Sequence, residues 1–450
     1  MRAPSLYGRQ RVCPEPLGDP VSNAASFLQA TGFNRNVSKP IMLTIVSFLA
    51  AAATAATAPA AFSGAIVACP AVTAKPSAEP TTVPIEVWSN HIYVKVCVSG
   101  RELEFILDTG AGNTSLDLNT AKQLGVGLGQ TFTVGGAGPG RVAGARVNVA
   151  TVTLAGTSIA QSVATAIDLS SLPSREGHRI DGIIGDDFIS HHVLGLDYAH
   201  NELRIYDPAA FTYDGTGASV PVTLINFFPH IDAELRLADG KTLRAHCVVD
   251  VGSGGSLALT KAFVDENKLR ERVSPTIRRT GGGGVGGAAA SDIGRLASIS
   301  IGGIELAHPI INLFGDSAGT LSSSSSWQGN IGGGILRRFT VFLDYQRKRM
   351  IFEPNATKDD AFEADMSGLG LGMNDSLTTI VVMSVAPSTP AADAGVAVGD
   401  VIVSVDGTPG TQRVLGELRE RLRRPNEHTT LVIRHGEANK RVEIVTRRAI

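Results

Sequence analysis

Alternating apolar and polar positions, the mark of strands with one buried face, run through most of the chain. HIYVKVCV from His91, a turn at Ser99-Gly100 and ELEFIL ending at Asp108 read as an antiparallel pair. The same events return from His230, where HIDAELRL, a turn at Ala238-Asp239-Gly240 and LRAHCVV lead to Asp250. Two more blocks recur in the same order. VGGAGPGRVAGARVNV from Val134 is echoed by TGGGGVGGAAASDIGRL from Thr280, and DGIIGDDFISHHVLGLDYAHNELRIYDP from Asp181 by GNIGGGILRRFTVFLDYQRKRMIFEP from Gly329. The offset is 142 between the two aspartates and 147 between Gly185 and Gly332 or Tyr198 and Tyr345. A period that long predicts a duplicated domain: two all-β lobes, 85–215 and 216–356, facing each other across a pseudo-two-fold axis. A polar connector at 357–366 then leads to a different pattern over 367–450.

Composition agrees with several small β domains. The 450 residues exceed one small fold, 50 glycines with 5% aromatics favour short strands and open loops, and 43% hydrophobic residues supply ordinary cores. Forty basic against 42 acidic side chains leave a net charge of −2, which carries no nucleic-acid footprint.

The first 68 residues read as a leader. Arg35 and Lys39 precede the apolar stretch IMLTIVSFLAAAA, with small residues for cleavage at Ala58-Pro59-Ala60, an export signal whose true start could be Met42. Export to a periplasmic or extracellular location is expected. Ile66-Val67-Ala68-Cys69 resembles a lipobox, so a lipid-anchored form is the alternative and the leader is the one expected membrane contact. The proline-rich 69–84 reads as an extended linker. Cys13 and Cys69 fall in or beside the leader, leaving Cys97 and Cys247 in folded regions, either as buried free thiols or as one bridge.

Duplication gives the two aspartates their interest. Each follows a buried apolar strand, Phe105-Ile106-Leu107 or Cys247-Val248-Val249, and enters a glycine turn. Two carboxyls brought together cannot both ionise, so such a pair holds one proton, and one member can deprotonate water while the other protonates a carbonyl. FILDTGAG at 105–112 with Ile183-Ile184-Gly185, and Val248-Val249-Asp250-Val251-Gly252-Ser253-Gly254 with Asn330-Ile331-Gly332, resemble the aspartic proteases, specifically the bacterial retropepsin-like type with two lobes in one chain. The resemblance spans about residues 90 to 355. It implies catalytic Asp108 and Asp250, support from Thr109, Gly110, Val251, Gly252 and Ser253, flap hairpins at 134–144 and 280–290, a peptide or protein substrate, and no metal or cofactor. The family carries Ser or Thr where Val251 stands, and losing one such hydrogen bond costs about 0.5–1.5 kcal/mol, more if Thr109 is left unpaired. A non-catalytic pseudoprotease serving as a peptide-binding scaffold is the alternative reading.

SGLGLGMNDSLTTIVVMSVAPSTPAADAGVAVGDVIVSVDG, from Ser367, resembles a PDZ domain of the bacterial export-protease type. The resemblance implies a small α+β module in which Gly368, Leu369, Gly370 and Leu371 bind a peptide carboxylate, as of a C-terminal tail, opposite a helix from Val414. A module that only packs on the lobes is the alternative. Val414, Leu415, Leu418 and Leu422 make an apolar helical stripe, with Arg419, Arg421, Arg423 and Arg424 expected on its wet face. Gly315-Asp316-Ser317-Ala318-Gly319 matches G-x-S-x-G, but no helix pattern follows the serine. His191, His192 and His200 read as loop residues without metal-ligand spacing.

Overall fold

A computed structural model describes residues 69, 79–149, 151–159, 165–315 and 319–450, all within one compact unit, Ala60–Ile450. The expected leader at 1–68 and Ser317 lie outside the described residues.

The architecture is mainly β. The first lobe is a ten-stranded sheet in which Arg101–Leu107 lies between His91–Val98 and Gly182–Ile184, and the second lobe repeats it with Thr242–Val249 between Phe228–Arg236 and Gly329–Ile331. Strand for strand, the order in the two sheets is the same. In each lobe the strand before the aspartate runs parallel to the later glycine-motif strand: Ile106 stands opposite Ile183 and Val248 opposite Asn330. Parallel neighbours buried on both faces call for continuous apolar runs, which is why both strands read as such.

A six-stranded sheet joins the lobes. Val193–Asp197 of the first lobe pairs antiparallel with Phe339–Asp344 of the second, placing Leu194 opposite Leu343 and Leu196 opposite Val341, all fully buried. One apolar core runs through both lobes and this sheet. Two parts of the sequence reading change here. Thr81–Pro84, the end of the expected linker, is an edge strand of the joining sheet, paired with Glu202–Tyr206, and Pro84 is tolerated because an edge strand leaves one row of N–H groups unpaired. Cys97 is bridged, but to Cys69, while Cys247 is a buried free thiol. Burial pushes the Cys247 thiol up to about 12, which keeps it an inert core residue.

The last module is a separate sheet of Leu369–Met373, Ile380–Val385, Val401–Val405, His428–His435 and Ala438–Val445, closed by the helix Gln412–Arg421. Val414, Leu415 and Leu418 face its core, with Leu422 fully buried just beyond. Among the described residues no helix is long and apolar enough to cross a membrane.

Candidate active site

Each aspartate is placed by its own lobe through the same bonds. The Asp108 N–H donates to Ile184 O at 3.0 Å and the Asp250 N–H to Ile331 O at 2.9 Å, which ties each turn to the strand crossing beside it. Each turn then closes on its aspartate, Ala111 N–H to Asp108 O and Ser253 N–H to Asp250 O, both 3.2 Å. The glycine after each crossing strand is a steric requirement. A Cβ on Gly185 would stand 2.6 Å from the Asn113 carbonyl carbon, and one on Gly332 2.5 Å from Gly255 O.

The two turns meet at the lobe boundary. Gly110 N–H donates to Asp108 Oδ1 at 2.6 Å and Gly252 N–H to Asp250 Oδ1 at 2.9 Å. A Cβ on Gly110 would lie 3.0 Å from Asp108 Oδ1 and 3.2 Å from Asp250 Oδ1, so both carboxyls crowd one glycine. On Gly252 a Cβ would overlap the Asp108 carboxyl outright. Burial, followed by the charge of Asp250, raises Asp108 well above the usual carboxylate range. Tyr198 and Tyr345, each buried one residue past a strand of the joining sheet, have hydroxyls with no hydrogen-bond partner among the described residues. Tyr198 is raised by burial and then by Asp250; Tyr345 by burial, then Asp186, Asp250 and Asp108.

Beside the two aspartates the turns are clasped from one side. Thr109 Oγ1 donates to Val249 O at 2.7 Å and accepts from Val251 N–H at 3.0 Å. Thr109 is thus paired in both roles by backbone alone, and Val251 is fully buried in the core. A buried valine side chain is worth about 1.5–3 kcal/mol, which offsets a missing hydrogen bond of about 0.5–1.5. Ser253 supports its turn through its backbone N–H. The side chain that reaches the second oxygen of Asp250 is Asn330, whose Nδ2 donates to Oδ2 at 2.7 Å. Sequence reading named Asn330 only as part of a motif. Its polarity inside an otherwise apolar strand was the available signal.

Both glycine-rich segments are hairpins whose tips meet. In the first, Leu128–Gly135 pairs with Arg141–Val147; in the second, Ile277–Gly284 pairs with Gly287–Arg295. Gly138 N–H donates to Val285 O at 2.9 Å and Gly140 N–H to Gly286 O at 2.7 Å. With Gly286 at φ +94° and Gly287 at φ +107°, the second tip needs residues without a Cβ. Val285 packs against the cluster of Tyr93, Ile106 and Ile183, beside Ala111 of the first dyad loop. From the second lobe, the Phe227 ring lies on Gly112, where a Cβ would be 2.5 Å from it.

The groove between Leu369–Met373 and the helix Gln412–Arg421 is filled by the first lobe's own helix, Ser171–Glu176, and its left-handed cap Gly177. Arg419 lies across it. Its guanidinium donates to Glu176 O at 2.7 Å, Arg175 O at 2.8 Å, Leu371 O at 2.7 Å and Ser89 Oγ at 3.0 Å. The expectation of a wet face therefore fails at Arg419, because one guanidinium reaches the carbonyls of both Arg175 and Glu176 at the end of the helix; burial lowers its pKa. Trp88 closes the groove, donating from Nε1 to Glu176 O at 2.7 Å. At the loop expected to hold a carboxylate, Gly368 N–H donates to Asp365 Oδ1 at 2.8 Å and Leu369 N–H to Ser367 Oγ at 3.0 Å, while the Leu369 and Leu371 side chains sit in the module's core. Arg175, in the groove-filling helix, also donates to Gly284 O in the second flap at 2.8 Å. From the last module, Ser384 Oγ donates to Thr280 O on the same strand of that hairpin at 3.0 Å.

Among the described residues no three His, Cys, Asp or Glu side chains cluster in a way that could hold a metal ion. His200 faces Asp197 at 3.0 Å and the His192 ring lies tilted against Phe188, with centroids 4.4 Å apart.

Residues 94–188 match the family described as aspartyl protease, and residues 381–435 the one described as PDZ domain. Among solved structures, the crystal structure of aspartic proteinase from Irpex lacteus is similar at 16% identity, covering 62% of this chain and 99% of that chain with a TM-score of 0.41. No curated protein matches. The two family matches lie in one chain, the first within the first lobe and the second within the last module.

Proposed function

We propose that this protein is an aspartic endopeptidase in which Asp108 and Asp250 together activate water against a peptide bond. The observation that carries the reading is the crowding of both carboxyls around Gly110, with Asp108 driven toward its protonated form. One carboxylate removes a proton from water as it attacks the scissile carbonyl, and the protonated partner supplies a proton to the carbonyl oxygen. The tetrahedral diol then collapses, one carboxyl protonating the amide nitrogen and the other taking back the hydroxyl proton. No covalent acyl intermediate is formed. The flap tips cover the cleft and exclude bulk water.

The PDZ module acts on this cleft as a brace. Its groove holds helix 171–176, whose Arg175 fastens the second flap, and Asp365 already engages the loop amide of Gly368. A free C-terminal peptide would compete with the chain's own turn for this groove, so the module regulates flap opening. A location outside the cytoplasm suits the Cys69–Cys97 bridge, and a bridged Cys69 has no thiol left for a lipid.

Digestion of an unfolded protein between about pH 3 and 8 by wild type, Asp108→Asn, Asp250→Asn and Ser317→Ala tests the reading. Both aspartate variants should lose cleavage and Ser317→Ala should keep it. Full cleavage by either aspartate variant overturns the proposal.

A further inference from the structure

The two halves of the dyad are not equivalent, and the difference lies in one side chain. Ile183 and Asn330 hold the same place in the two lobes, opposite the residue two before each aspartate, Ile106 and Val248. Ile183 packs with Tyr93 and Ile106 in an apolar cluster. Asn330 turns its amide to Asp250 Oδ2 at 2.7 Å, while Gly252 N–H occupies Oδ1 at 2.9 Å. Asp250 thereby accepts one N–H on each oxygen. For Asp108 the N–H donor among the described residues is Gly110, on Oδ1, and the residue three positions on is the methyl-bearing Ala111.

We infer that Asn330 polarises the dyad, fixing the negative charge on Asp250 as general base and leaving the shared proton on Asp108 as general acid. The inference rests on the dyad reading above. Donors aimed at a carboxylate favour its ionised form, and a carboxylic acid needs an acceptor beside it, which Asp250 supplies. The upward shift of Asp108 agrees in direction. In the forward step, water loses its proton to Asp250 as its oxygen bonds to the carbonyl carbon, and the Asp108 proton passes to the carbonyl oxygen. On collapse, Asp250 protonates the leaving nitrogen, the carbon–nitrogen bond breaks, and Asp108 regains a proton from the diol.

Other titratable groups near the pair are Tyr198 and Tyr345 from the joining sheet, Asp186 at the start of the helix after Gly185, and His91, whose ring lies against Gly254. All are common to the variants compared, so a difference between them reports residue 330.

The test is the pH dependence of kcat/KM for wild type, Asn330→Ile and Asn330→Asp. Installing the first lobe's isoleucine removes a donor from the Asp250 carboxylate, so Asp250 protonates at higher pH and the acid limb should move up by about one to two pH units. Asn330→Asp should move it further, because a second carboxylate opposes ionisation. An acid limb that stays in place while KM rises would make Asn330 a mere cleft-lining residue and overturn the inference, with the protease reading intact. Should wild type fail to cleave peptides, carbon-13 titration of the aspartate carboxyls in the folded full chain still decides. Asp250 titrating below Asp108, and rising in Asn330→Ile, supports the inference; the opposite order overturns it.

Discussion

At the scale of single residues, burial and charge bear on stability at the two aspartates. Folding raises the Asp108 pKa from its ordinary 3.8, so its contribution to stability is present below that value and is lost as pH climbs through the raised one. Asp108→Asn keeps the shape without the charge. It should therefore have a higher Tm than wild type at neutral pH, with the gain fading as the pH falls toward about 4, and equal melting at every pH would contradict the buried-pair account. Thr109 makes the opposite case. Thr109→Val should lower stability by about 1–3 kcal/mol in a denaturant titration, because Val249 O and Val251 N–H would both lose their partner. The sequence made both aspartates legible, since a repeated motif at a fixed offset needs no structure to be seen. It left the consequence of Val251 open, because a side-chain loss looks costly until the backbone partners of Thr109 are known.

At the scale of elements, hairpins and turns were readable and their partners were not. Glycine runs at 134–144 and 280–290 announce tips that need positive φ or close approach, and the tips do meet. Nothing in the local pattern around Ser171–Glu176 says that this short helix would lie in the PDZ groove. Its signals are spread over Trp88, Gly177, Gly416 and Arg419, which come together only in the folded chain. Arg419 holds this contact with four hydrogen bonds to three segments. Arg419→Ala should speed amide hydrogen exchange over 171–177 and, through Arg175, in the second flap over 277–295. Exchange confined to the PDZ module would separate the module from flap control.

At the scale of the whole molecule, the duplication carried most of the fold. Matching blocks in matching order gave two lobes, and the strand order repeats in both sheets. What joins the lobes was hidden, because Val193–Asp197 is buried throughout and Phe339–Asp344 at all but Thr340, so their pairing across the chain leaves no alternation to read. The bridge between Cys69 and Cys97 was equally hidden, since spacing does not choose partners. The fold brings two acidic turns into contact, and the rate profile expected of the proposed protease reports on that directly. The decisive measurement is kcat/KM for a peptide substrate against pH, with Asp250→Asn alongside. A shared proton predicts a bell, falling at low pH as the pair takes a second proton and at high pH as Asp108 loses the first, with Asp250→Asn inactive throughout. Activity that keeps rising into alkaline pH, or that survives in Asp250→Asn, would contradict the account.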